Sequence, residues 1–371
     1  MIAILKHIVV GALAALFFVP LPCVAQSRAN LQLVKQGMDY IYNKEFTRSA
    51  ATIRKIESSM NRSAIPDLMK AMEVFWRYYP IHTNEKQLTR YQEFLMKSYA
   101  RTQEVLGEDE SNPEAIFLAM ASQGLLAESY AESGRSFKAV GAAKRAYNYI
   151  KQGSRRIGQY QEFLLTTGLY NYYREYYPEA HPIYRPLMSF FMKGDKELGI
   201  KQLEMAAKDA SISHVIAQYY LGYIYMRYEY IPHKALRQGR KLYKSYPKND
   251  LFQAIYLESL IINGKYKEAR PLAKGLQQNS NPYSKIYGQL FLGVIEEKDG
   301  NIASAENLYR STLKLNQDHE MERDHLEAYA YLGLGRIYER KNDPQARKYF
   351  KESLDKAYTK ALQNEAKRHL N

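Results

Sequence analysis

The sequence predicts an all-α chain, a solenoid of antiparallel helix pairs, and three observations predict it. One spacing recurs in four stretches: a small residue, an aromatic three positions on, a turn residue four beyond it, and another small residue after five more. No stretch alternates apolar and polar residues with period two, and glycine and proline fall between the helical patterns. Small residues at fixed offsets let two helices approach closely while aromatics fill the space beside them. Glycine or asparagine then supplies the tight turn, where a positive φ is easily adopted.

The chain of 371 residues opens with MIAILKHIVVGALAALFFVPLPCVAQS. Lys6 precedes an apolar run from Ile8 to Val19, which Pro20 and Pro22 end; the run is short for a membrane span, and a small residue follows at Ala25. This reads as a signal peptide over 1–25, cleaved after Ala25 to leave Gln26 first, with retention as an anchor the alternative. Pro22 before Cys23 argues against a lipidated cysteine. Export places the protein in the periplasm or outside the cell. Cys23 is the single cysteine, so the exported chain has no disulfide, thiol nucleophile or cysteine metal site and rests on its hydrophobic core. The net charge of +14 barely changes when Lys6 leaves. In an exported protein such a charge points away from nucleic acid and toward anionic lipid, acidic glycans or acidic partners, against the plainer reading of a basic, solvated surface.

A single domain over 26–371 follows, built of these repeats. In chain order, GMDYIYNKEFTRSA keeps Gly37, Tyr40 and Ser49 in register, and LLAESYAESGRSFKAVGAAKRA keeps Ala127, Tyr130, Gly134 and Ala139. Gly222, Tyr225 and Ala235 follow with one extra turn residue, then Gly264 and Ala269, then Gly293, Gly300, Ala305 and Tyr309. Gly335, Tyr338, Asn342 and Ala346 close the series with a turn one residue shorter.

The unit is about 34 residues of helix, turn and helix, and it resembles the tetratricopeptide repeat over most of residues 30 to 357. That resemblance implies a right-handed superhelical α-solenoid that binds partners along a concave face lined by first helices. Residues 160 to 252, with FFMKGDKELGIKQLEMAAKDA, LGYIY and YPKNDLF, are similar to the Iml2/TTC39-type subgroup of tetratricopeptide proteins and its bacterial relatives, which share GLYNYY followed by GDKELG. The subgroup implies helical repeats without catalytic residues, acting as adaptors.

GLYNYYREYYPEAHPIYRP, residues 168–186, departs from the repeat. Gly168 takes the small position of a first helix, and Gly194, Gly199, Leu203 and Ala206 belong to the second. Between them lies a proline-rich insertion over 178–193, so the first helix is expected to stop near Tyr177 and LMSFFMK to form a short helix or flap. Tyr170, Tyr173 and Tyr177 share one helical face, and Leu165, Leu169, Tyr172 and Tyr176 another. Such a helix is either packed on two sides or lines a groove, where tyrosine keeps its hydroxyl wet.

Transferring the concave-face register selects Tyr172, Tyr173, Tyr219, Tyr223, Arg227, Tyr287 and Arg336 as a binding groove for an extended peptide, a carboxylate terminus or a sugar ring. In HKALRQGRKLYKSYPK, Arg237, Lys241, Lys244 and Lys248 follow one helical face with Lys234 and Arg240 beside it. This outward patch suits anionic lipid, an acidic glycan or an acidic partner, or is a solvated face. No GxSxG, Walker loop or strand-borne GxGxxG occurs, and the histidines carry no metal spacing: His319 and His325 stand six apart. His181 beside Glu179 in the insertion is a candidate titrating group, against the plainer reading of a solvated loop histidine. The reading is a non-enzymatic, cofactor-free scaffold binding a protein or peptide. The alternatives are a periplasmic glycan- or peptide-binding protein using the same groove, and an enzyme using the insertion.

Overall fold

A computed structural model describes residues 24–180, 182–188, 191–318, 324–357 and 359–371. Residues 1–23, with Cys23 and most of the expected signal peptide over 1–25, lie outside them, as do His181 and His319. Every regular element among the described residues is helical. The chain divides into two compact units, Met1–Tyr220 and Leu221–Asn371.

The first unit pairs α1 (Val24–Tyr42) with α2 (Phe46–Ser59), α3 (Ile65–Arg77) with α4 (Glu85–Glu108), and α5 (Pro113–Glu132) with α6 (Ser136–Ser154). Its fourth pair is α7 (Phe163–Ala180) with α9 (Lys196–Asp209), and the short α8 (Arg185–Met188) lies between them. The unit boundary falls inside α10 (His214–Arg227), which precedes α11 (Pro232–Ser245). In the second unit α12 (Asp250–Ile262) pairs with α13 (Tyr266–Gln277), α14 (Pro282–Lys298) with α15 (Ile302–Asp318), and α16 (Asp324–Arg340) with α17 (Gln345–Lys356). α18 (Lys360–Leu370) packs on α17 and α16. The fold is an all-α array of sequential helix hairpins.

Turn chemistry follows the sequence closely. Gly134, Gly264, Gly300 and Asn342 all adopt positive φ between the helices of a pair, as the repeat spacing requires. Lys44 and Tyr230 do the same work at φ 56° and 51° without glycine. Helix starts are capped locally: Asn84, Asn112, Asp195, Asn249, Asn281 and Thr359 each accept a bond from a first-turn amide. The α10 start is capped from a distance. The buried Glu162 carboxylate accepts bonds from the Ser211, Ile212 and Ser213 amides and from the Ser213 hydroxyl at 2.5 Å. Burial nonetheless holds its carboxyl above the usual range.

First and second helices are buried differently. α5 is buried continuously from Ala115 to Ala127, and α12 and α14 are buried nearly all round. Second helices bury one stripe of small residues, as with Ala139, Ala142, Ala143 and Ala146 on α6. The sequence reading missed the α3/α4 pair and α18. A 3₁₀ turn over Ile81–Thr83, without a turn glycine, joins α3 to α4, so the repeat spacing has no signal there. Pro178 is a correction: α7 does not stop at Tyr177 but runs to Ala180. Two residues from the helix end, proline forfeits a single amide bond in a turn that is closing anyway. Likewise the inserted helix begins at Arg185, ahead of LMSFFMK.

One first-turn residue is in conflict with its surroundings. Glu114, half-buried at the start of α5, makes no hydrogen bond or ion pair among the described residues, and burial pushes its carboxyl up to about 8. A folded pKa above the unfolded value means stability is greatest below the unfolded range and is lost as pH rises toward about 8. Glu114→Gln is therefore expected to flatten the pH dependence and to be the more stable protein at the upper end, by about 1 kcal/mol. Urea denaturation of both chains across this range checks it; equal slopes against pH would count against a strained carboxylate.

Candidate functional site

In the first unit the candidate residues lie on α7, where two glycines decide the packing. A Cβ on Gly199 would stand 2.5 Å from the Tyr172 amide nitrogen, and one on Gly168 would stand 3.0 Å from the Gly199 carbonyl oxygen. The α7 and α9 backbones therefore touch, and the rings beside them are enclosed. Tyr172 and Tyr173 are 0% and 2% exposed, with their rings edge-to-face at 5.2 Å. Tyr176 stacks on Tyr172 at 5.6 Å, and the Lys196 ammonium lies 5.8 Å and 5.9 Å from the two ring centres. Tyr172 and Tyr173 thus belong to the core and offer no open ring face, because the glycine contact draws the pair too close for a groove there. Tyr219 is half-buried, edge-to-face with Tyr220.

The insertion folds back by hydrogen bonding. Tyr170 donates its hydroxyl to the Met192 carbonyl at 2.7 Å, and the Met192 amide donates to the Tyr147 hydroxyl on α6 at 2.8 Å. Arg174 donates to the Met188 carbonyl, and Phe191 meets the Tyr147 ring edge-to-face at 5.1 Å. Burial, with Tyr147 beside it, holds the Tyr170 hydroxyl above its usual pKa. This connection is a tied-down strap over α7 and α6.

In the second unit a buried polar ladder crosses four successive first helices. Arg227 of α10 donates to the Glu258 carboxylate on α12 at 2.7 Å and to the Tyr287 hydroxyl on α14 at 2.9 Å. Tyr287 in turn faces His325 Nε2 on α16 at 3.0 Å. The Tyr223 ring covers the guanidinium at 4.4 Å, and Arg227 and Glu258 side chains are 5% and 2% exposed. Sequence reasoning placed Arg227 and Tyr287 in an open groove. The structure commits both to holding α10, α12, α14 and α16 in register, since a buried guanidinium must be paired.

A second ladder binds Arg336. Its guanidinium donates twice to Glu297, at 2.8 Å and 2.6 Å, and once to Glu365 of α18 at 2.8 Å. Tyr309 adds a hydroxyl bond to Glu297 at 2.9 Å, and Arg340 approaches it at 3.4 Å. Burial raises the Glu297 carboxyl, but the Arg336, Tyr309 and Arg340 contacts outweigh it and leave the group below the usual carboxylate range. Arg336 is half-buried and occupied. The hubs Glu258 and Glu297 went unread in the sequence; the available signal is a glutamate inside an otherwise apolar run, LESLII and GVIEEK.

Aromatic surface remains around the α10–α11 turn. Tyr223 and Tyr228 are half-buried and meet edge-to-face at 5.4 Å. Tyr230, 53% exposed, is held in the left-handed region, where a bulky side chain is strained. On α11, Arg237, Lys241, Lys244 and, beyond the helix, Lys248 are exposed. Lys234 lies 4.9 Å over the Tyr225 ring, and Arg240 pairs with Glu268 at 3.4 Å.

The described histidines do not converge. His325 belongs to the first ladder; His369 stacks on Phe350 at 4.3 Å and pairs with Glu339. Among the described residues no group of three His, Cys, Asp or Glu side chains is placed to hold a metal ion, and no helix is long and apolar enough to cross a membrane.

No family model and no curated protein matches the sequence. Among solved structures the chain is similar to the crystal structure of the yeast Tom70, at 10% identity and a TM-score of 0.29 over 92% of this chain and 95% of that one.

Proposed function

We propose that this chain is an exported, non-enzymatic scaffold of the tetratricopeptide type, an adaptor with the affinity to the Iml2/TTC39-type subgroup expected from its middle region, whose partner is a protein or peptide. The observation that carries the proposal is the division of labour among its aromatic residues. Tyr172, Tyr173 and Tyr287 are spent in the core, while Tyr223, Tyr228 and the strained Tyr230 stay at the surface of the second unit. Tyrosine is enriched in interface anchors because it brings a large, stiff, amphipathic contact area. The candidate aromatic surface of the second unit is accordingly Tyr223 with Tyr228 and Tyr230.

Affinity capture from the native cell envelope, compared between the unaltered chain and Tyr223→Ser/Tyr230→Ser, tests this. The variant is expected to retain its helical circular dichroism and to lose the captured protein at least tenfold, the scale of one interface anchor. Undiminished capture would sink the aromatic surface. A glycan-binding reading of the same rings is favoured by the exposed Tyr230 face, and tyrosine fluorescence quenched by oligosaccharides but not by peptides would select it. Export is tested separately by sequencing the N-terminus of the envelope-derived chain, expected to begin at Gln26.

A further inference from the structure

The outer face of α11 is the strongest charged feature that the scaffold reading leaves unused. Its fourteen residues, PHKALRQGRKLYKS, contain five lysines and arginines and no acid. Ala235, Leu236, Gln238, Gly239 and Leu242 form the buried side. Arg237, Lys241 and Lys244, at i, i+4 and i+7, share the opposite side, are exposed, and make no ion pair among the described residues. Elsewhere in the second unit several cations are paired with acids: Arg310 and Lys341 both bind Glu306, Lys356 binds Glu327, and Arg270 binds Glu296 and Asp299. On the neighbouring α13, Lys267 and Lys274 are also exposed, and its one acid, Glu268, is taken by Arg240 and Lys265.

We infer that this face is a docking surface for an anionic lipid bilayer, holding the protein at a membrane without insertion. Charge complementarity identifies the class of occupant, and the missing apolar anchors narrow it. A protein interface is built round aromatic or aliphatic anchors. No large hydrophobic residue is exposed on α11 or α13 among the described residues. Cations on long stems, one helical turn apart, match mobile headgroups rather than a partner of fixed shape. Binding of this kind is electrostatic and screened by salt. It is independent of the aromatic surface proposed above.

The test uses the full mature chain with vesicles of phosphatidylcholine alone or mixed with phosphatidylglycerol, followed by co-sedimentation. Binding is expected only to the mixed vesicles and is expected to fall as salt rises. Arg237→Gln/Lys241→Gln/Lys244→Gln should weaken it roughly a hundredfold, each cation near an anionic surface contributing about a factor of five. Arg347→Gln/Lys348→Gln/Lys351→Gln on α17 removes the same charge elsewhere and should change binding far less. Equal binding to neutral vesicles, or equal losses in the two triple variants, would overturn the assignment. Tyr223→Ser/Tyr230→Ser should leave vesicle binding unchanged, so the two surfaces fail or succeed separately.

Discussion

Arg336→Ala is expected to destabilise the second unit by about 3–5 kcal/mol, the scale for removing one partner of a buried ion pair. Glu297, whose side chain is 1% exposed, would keep the Tyr309 hydroxyl and the distant Arg340 but lose its bidentate partner. Glu365 would lose its bond as well, loosening α18. The double substitution Arg336→Met/Glu297→Leu removes both charges and should cost much less than the single one, because the buried carboxylate is no longer stranded. Chemical denaturation followed by helical circular dichroism measures both. A single variant within about 0.5 kcal/mol of the unaltered chain would mean that water reaches Glu297 and the ladder is not structural. The pH dependence has a definite sign. With its folded pKa depressed, Glu297 contributes stability above the unfolded carboxylate range, and this is lost as pH falls through the folded value.

Gly199→Val should be the most damaging change in the first unit, at roughly 3 kcal/mol or more. Its new Cβ would meet the Tyr172 amide nitrogen at 2.5 Å and the Gly168 carbonyl oxygen at 2.7 Å, and backbone atoms cannot rotate away. Separating α7 from α9 would expose the Tyr172 and Tyr173 rings. Thermal unfolding, with tyrosine accessibility followed by absorbance, should show both effects. Gly275→Ala on α13, where an added Cβ meets nothing within 4 Å, is the matched control and should be neutral or slightly stabilising. Equal effects at the two glycines would contradict the close crossing.

These two expectations show where sequence reasoning reached its limit. Gly199 was legible, because small residues at repeat offsets imply close helices, and the glycine turns with Asn342 were legible for the same reason. The role of Arg336 was not. Its register on a first helix predicted an outward guanidinium, whereas Glu297 and Glu365, 39 and 29 residues away, draw it into a pair. The spacing of the α7 tyrosines places them on two faces, but burial of both is a property of neighbours, not of spacing. The α3/α4 pair was missed because its turn lacks the residue that marks the others.

By itself, then, the sequence determined the helical hairpins, their turns and the basic, acid-free face of α11, since each depends on residues within one or two helical turns. Only the tertiary structure decided which tyrosines are core and which are surface, and which arginines are spoken for. Those outcomes rest on partners tens of residues distant, brought together by the stacking of one hairpin on the next. A charge or ring becomes available for a partner only when that stacking leaves it unpaired.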